Sequence, residues 1–362
     1  MDFDPLALLP LVTAELPGIG GTIKEFPEDF EVEEIPAYEP SGSGDYLYLW
    51  VEKRAMGAEY FVRQIARRLG IANNEVGTAG LKDRQAVTRQ MVSVPDVGTE
   101  KLAQLDGDGM RVLRVSRHGN KLRPGHLRGN RFRILIRRPD SQALARLSPI
   151  LKKLEETGVP NFYGPQRFGK GGETVRMGLA MLGGDKASQN AAGRSTLPRN
   201  PFLRKFALSA AQSALFNDYL ARRMQDGLFR QVIDGDVMAR WPFGGIFTAE
   251  DLPAEQNRFD RREIVHTGPI YGRKMFAAGN IAAERENFIL LQAALTRDAF
   301  TRFGKLLQGT RRHNLFYLSE LAAVAEPEGV RVSFTLPAGS YATVVLSEVM
   351  KCTKVDSEED AS

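Results

Sequence analysis

Apolar and polar residues alternate through residues 45–53 (DYLYLWVEK), the pattern of a strand with one buried face. Over 58–69 (AEYFVRQIARRL) the period changes: Phe61, Ile65 and Leu69 recur at helical spacing, and Gly70 is placed to close the helix. Further strands are predicted over 90–95, 110–117 and 130–138, with turn-rich sequence at 104–109. A helix is predicted over 140–157, with Leu144, Leu147, Leu151 and Leu154 on its apolar face and Gly158 and Pro160 as its stop. Two more helices are read at 209–226 and 284–307. A strand at 329–336 follows, then a helix after Ser340 and an acidic tail at 356–362 expected to be disordered. Strands and helices mix without regular βαβ alternation, which predicts an α+β fold.

No repeat at a solenoid period is present. The pattern breaks at 158–172 (GVPNFYGPQRFGKGG), where five glycines and two prolines mark a junction, and a return junction is read at 309–316. These marks predict a discontinuous domain of residues 1–157 and 315–362 and an inserted domain of residues 158–314.

Composition then narrows the function. With 43% hydrophobic and 26% charged residues in 362, the chain can bury a core, which excludes wholesale disorder. No run of eighteen apolar residues occurs, and the acidic N-terminus lacks the bases of a secretory signal, so a soluble chain without membrane association is expected. A single cysteine, Cys352, excludes an internal disulfide and a thiolate metal site, and fits a reducing cytoplasm. The net charge of +5 hides an asymmetry. Residues 1–45 hold eleven acids and one base, Lys24, whereas 111–138 hold ten bases and no acid. In that run arginines alternate with Val112, Leu113, Val115, Phe132, Ile134, Leu135 and Ile136, which predicts a one-sided basic face facing a polyanion. The competing reading is a solvated surface.

Several motifs fail on inspection. Residues 164–171 (GPQRFGKG) resemble a P-loop but lack the final Ser or Thr that would hold magnesium. Gly18, Gly20 and Gly21 follow no strand, so they read as a turn. The four histidines include no helical i, i+4 pair, which argues against a metal site, and no G-x-S-x-G elbow supports serine hydrolysis. What remains is 77–90, GTAGLKDRQAVTRQ, where Asp83 lies between Lys82 and Arg84. In extended backbone Asp83 would point away from both neighbours. A buried carboxylate then needs a cation from elsewhere to stay ionised, and Lys24, the one base of the acidic N-terminal stretch, is a candidate.

The segment TAGLKDRQAVTRQ resembles the signature around the catalytic aspartate of the tRNA pseudouridine synthase D (TruD) family. Residues 23–32 (IKEFPEDFEV), 127–132 (LRGNRF), 159–169 (VPNFYGPQRFG) and 332–346 (VSFTLPAGSYATVVL) resemble it too, in family order. The resemblance implies a pseudouridine synthase core with a mainly antiparallel sheet plus an inserted TRUD domain. It implies isomerisation of uridine to pseudouridine in tRNA, with uridine 13 the expected position, and no cofactor or metal. Residue by residue, it implies Asp83 as the catalytic aspartate and Lys24 as its partner. Phe30, Asn130, Phe132 and Tyr341 are then expected to line the pocket for a flipped base, with Phe132 beneath the uracil. Tyr341 stands where some members have Phe. Arg123, Arg128 and Arg131 are expected to contact RNA phosphates, and Arg194, Arg199, Arg204 and Lys205 are candidates for a second wall of the cleft. A monomer is expected. Two rival readings stand beside this one: a non-catalytic RNA-binding or chaperone protein, and a glycoside-cleaving enzyme whose second carboxylate would be Glu25, Glu28 or Asp29.

Overall fold

The structure is a computed structural model describing residue 4, residues 8–183 and residues 200–351. Cys352, the predicted acidic tail, Arg194 and Arg199 lie outside the described residues. The chain runs through β1 (Phe30–Pro36), β2 (Tyr46–Arg54), α1 (Ala58–Leu69), β3 (Gly77–Thr78), β4 (Val87–Pro95), β5 (Met110–His118), β6 (Leu127–Arg137) and α2 (Ala143–Thr157). Next come β7 (Val159–Pro160), α3 (Glu173–Gly183), α4 (Pro201–Gln225), β8 (Val237–Arg240), β9 (Ile246–Thr248), α5 (Leu252–Asp260) and β10 (Ile264–Ile270). It closes with α6 (Asn280–Gln292), α7 (Asp298–Thr301), β11 (Thr310–His313), β12 (Leu315–Phe316), β13 (Ser319–Glu326), β14 (Gly329–Pro337) and α8 (Ala342–Met350).

An eight-stranded sheet in the order β13-β14-β6-β1-β4-β2-β5, with β3 beside β4, organises the larger part. Only the β1–β4 pairing is parallel. The α+β fold with a mainly antiparallel sheet is therefore observed. Strand β1 was not expected. Its outward Glu31 and Glu33 and its inward Glu34 make FEVEEIP read as polar, yet Phe30 and Val32 are buried. One end of the sheet packs Phe132, Ile134, Val332 and Phe334 on Leu147 and Ile150 of α2 and Val345 and Val349 of α8. At the other end, Leu49, Val51, Val92 and Val94 meet Phe61, Ile65 and Leu69 of α1. Each such large side chain contributes ~1.5–3 kcal/mol on burial. Between the two helix-covered ends, Glu34 of β1 and Asn130 of β6 face each other in the ladder.

Two helices differ from expectation. The buried stripe of α2 is Ala143, Leu147, Ile150 and Leu154; at 100° per residue Leu144 and Leu151 fall at its edge, where Leu151 is partly buried against the same core and Leu144 is exposed. The helix expected over 284–307 breaks after Gln292, where Ala294 adopts a left-handed φ of 51°. Residues 158–316 contribute a second sheet, β11-β10-β8-β9. The two marks read as junctions lie side by side, because β7 pairs with β12 through Val159 with Phe316 and Pro160 with Leu315.

Candidate active site

Asp83 sits between β3 and β4, where residues 79–86 take no regular structure. Two buried lysines set the course of this segment. Lys82 turns inward, and its Nζ lies 2.8 Å from Glu34 Oε2 with both side chains buried. The other Glu34 oxygen accepts the Met91 amide at 3.3 Å. Lys53, at the end of β2 and fully buried, donates to the carbonyls of Asp83 at 3.1 Å and Lys82 at 3.5 Å. With Lys82 drawn inward, Asp83 points elsewhere: its side chain stays 39% exposed, and Lys24 Nζ approaches its Oδ2 at 3.4 Å. Lys24 has a left-handed φ of 60°, just beyond the bridge that joins Thr22 to Arg137. Its ammonium also stands 4.6 Å from the centre of the Phe30 ring, a cation–π contact.

Beneath this pair lies an aromatic floor. Phe30 meets Phe132 edge-on at 6.0 Å, and Phe132 stacks on Phe334 at 5.5 Å. Phe30 and Phe132 are both buried, so Phe132, expected under the uracil, is packed within the core in this conformation. Asn130, opposite Glu34, has a buried Oδ1 with no hydrogen-bond partner among the described residues. Such an orphan acceptor costs ~1–3 kcal/mol unless something donates to it. Tyr341 precedes α8 and packs on Tyr163 at 5.9 Å, and burial pushes its hydroxyl pKa up. Arg312 binds this corner together, lying 4.0 Å from the Tyr163 ring centre and donating to Gly339 O at 2.8 Å. The structure thus joins Lys24, Asp83 and Phe30 directly, and connects Asn130 to Asp83 through Glu34 and Lys82. Sequence reasoning missed Glu34, Lys53, Lys82 and Phe334. A signal for Lys53 exists: it falls on the same parity as Leu47, Leu49 and Val51, a lysine in apolar register.

The basic run, expected to form a one-sided face toward a polyanion, is answered in part from within the chain, chiefly by the acidic N-terminal stretch. Arg131 binds Glu320 at 2.8 Å and Glu33 at 3.4 Å, Arg137 holds Asp29 through two bonds of 2.7 and 2.9 Å, and Arg138 pairs with Glu25. Arg114 reaches Glu39 at 3.6 Å, and Arg117 reaches Asp96 at 2.6 Å. Arg111, Arg123, Arg128 and Arg133 form no ion pair among the described residues. Of these, Arg123 adjoins the Asp83 segment, because the Gly125 amide donates to Ala79 O at 2.8 Å. Arg128 adjoins the approach to Tyr341, because its carbonyl accepts the Ala338 amide at 3.0 Å.

The carboxylates that a glycoside-cleaving enzyme would need are all engaged. Thr22 and Arg138 hold Glu25 below the usual carboxylate range, and Arg54 does the same for Glu28. Burial pushes Asp29 up, but the paired bonds from Arg137 and the Phe26 amide outweigh it and leave that carboxyl low. A general acid for glycoside cleavage needs the opposite shift. Among the described residues, no three His, Cys, Asp or Glu side chains gather as metal ligands would, and no helix is long and apolar enough to cross a membrane.

The profile of the family described as tRNA pseudouridine synthase D (TruD) matches residues 9–194 and 186–349. An Anaeromyxobacter sp. (strain Fw109-5) protein named tRNA pseudouridine synthase D is 45% identical over 342 residues, covering 94% of this chain and 96% of its own. A protein of the same name from Thermus thermophilus is 43% identical, covering 96% of this chain and 93% of its own. Among solved structures, a Methanosarcina mazei protein assigned to TruD superimposes with a TM-score of 0.76 at 25% identity, over 95% of this chain and 96% of that one. The chain belongs to the tRNA pseudouridine synthase D family and is a pseudouridine synthase, an isomerase.

Proposed function

We propose that the chain isomerises uridine to pseudouridine in tRNA, at uridine 13, with Asp83 as the nucleophile and the target base flipped out of its stack. The observation that carries this reading is the Lys24–Asp83 pair: a carboxylate held by one long contact to an ammonium, with its side chain 39% exposed. An ionised carboxylate with an unengaged oxygen is a competent nucleophile. In the reaction the N1 bond to the sugar breaks, C5 joins the same sugar carbon, C5 gives up its hydrogen and N1 gains one, so nothing is oxidised or consumed. The orphan Asn130 oxygen suits the N–H edge of a pyrimidine, with Phe30 and Tyr341 at the walls. Arg123 beside the Asp83 loop and Arg128 beside the approach to Tyr341, both without an ion pair among the described residues, serve the RNA phosphates, whose contacts set register. Arg131 contributes less, because Glu33 and Glu320 already engage it.

In this reading residues 1–157 and 315–362 form the catalytic domain, and residues 158–314 form an inserted domain that supplies the second wall, with Arg204 and Lys205 toward the RNA. The β7–β12 pairing supports it, since an inserted domain needs its two ends adjacent. The enzyme works as a monomer in the cytoplasm. The test is chemical mapping of pseudouridine in unmodified tRNA transcripts incubated with the purified protein. A new pseudouridine at position 13 is expected; modification confined to other positions would overturn the position, and none at all would overturn the activity.

A further inference from the structure

We propose that Lys53 is a positioning residue for this reaction: its ammonium, sealed beneath the Asp83 loop, fixes the peptide groups on both sides of Asp83. The side chain extends from the end of β2, in register with Thr88 of β4, and is fully buried. Three main-chain carbonyls converge on it, those of Met56, Lys82 at 3.5 Å and Asp83 at 3.1 Å. An ammonium has three donors, enough to reach all three carbonyls. The Lys82 carbonyl belongs to the peptide plane before the Asp83 Cα, and the Asp83 carbonyl to the plane after it. Holding both planes sets φ and ψ of Asp83, and so sets the direction in which its carboxylate leaves the backbone.

Nothing else in residues 79–86 is regular structure; the inward Lys82–Glu34 pair anchors one side chain, and Lys53 anchors the main chain. Burying a charge costs several kcal/mol, and a Met would fill the same channel without that cost. What the ammonium adds is the grip on the two carbonyls. A misplacement of about 1 Å at a reacting group costs on the order of 10²-fold in rate, so the expected signature is on turnover rather than on RNA affinity.

This inference rests on Asp83 being the nucleophile, so Asp83→Asn is measured beside Lys53→Met and Lys53→Arg. Steady-state turnover and tRNA binding are followed together, with hydrogen exchange of the amides of residues 82–86. Lys53→Met should lower kcat by about thirtyfold, leave KM and tRNA Kd within about threefold, and speed exchange in the loop. Lys53→Arg, which keeps donors and charge, should recover part of the lost kcat. Unchanged kcat in Lys53→Met, or a loss that appears equally in KM and Kd, would overturn the proposal. Failure of both variants to fold would assign Lys53 to the core alone and overturn it too. An inactive Asp83→Asn beside a fully active Lys53→Met would overturn this proposal only, whereas turnover in Asp83→Asn would remove the nucleophile reading itself.

Discussion

Two ion pairs in different parts of the molecule show how one interaction serves opposite ends. Beside the four-stranded sheet, Arg223 and Asp236 are 0% and 1% exposed and joined by bonds of 2.8 and 2.6 Å. The remaining guanidinium donors go to Tyr219 Oη, Leu228 O and Gln231 O, so all five are used. Above the eight-stranded sheet, Lys24 and Asp83 touch once at 3.4 Å, with side chains 16% and 39% exposed. A saturated, dry pair specifies packing and leaves nothing for a ligand. A single-contact, partly exposed pair leaves a carboxylate oxygen accessible to a ligand. Satisfaction of the partners, rather than the presence of charge, separates the structural pair from the reactive one.

The comparison can be broken at several points. Asp236→Asn strands a buried guanidinium and should destabilise the protein by about 3–5 kcal/mol, read from urea unfolding; a loss below about 1 kcal/mol would place that pair with the exposed kind. Acid should also act on this region. Burial, reinforced by Arg223, lowers the pKa of His266 to about 3, and burial with Arg312 lowers that of His313 to about 4. The unfolded chain then binds protons below pH 6.5 that the folded chain refuses, so stability is complete above pH 6.5 and falls as pH drops. His266 alone should cost about 2 kcal/mol by pH 5. Flat stability between pH 7 and 5 would contradict this. The smallest effect is expected at the open pair: Lys24→Met should lower kcat/KM about tenfold, or about 1.4 kcal/mol, while unfolding midpoints stay nearly fixed. An equal loss of stability would make Lys24 a core residue.

Much of this was legible in the chain because periodicity reports burial. Alternation found β2 and β5, and helical spacing with Gly70 found α1 to the residue. Contiguous motifs pointed to Lys24, Asp83, Asn130 and Tyr341. What escaped is charge that points inward. Glu34, Lys53 and Lys82 are polar letters in buried positions, and a pattern that equates polar with exposed loses β1 altogether and misses the supports of the Asp83 loop. The arginine run escaped for a related reason: its partners Asp29, Glu33 and Glu320 come from strands or turns far away in sequence, and only the β1–β6 and β13–β14–β6 pairings bring them close. Likewise the helix expected over 284–307 continued the apolar spacing across Ala294, where the backbone turns left-handed.

Tritium release from tRNA labelled at uridine C5, comparing the protein with its Asp83→Asn variant, reaches the central claim most directly. The variant keeps the volume and removes the charge that Lys24 faces. The account predicts that release falls by more than about 10³-fold while tRNA affinity stays within about tenfold and the fold stays intact. Turnover by the variant within a few-fold of the parent would contradict it.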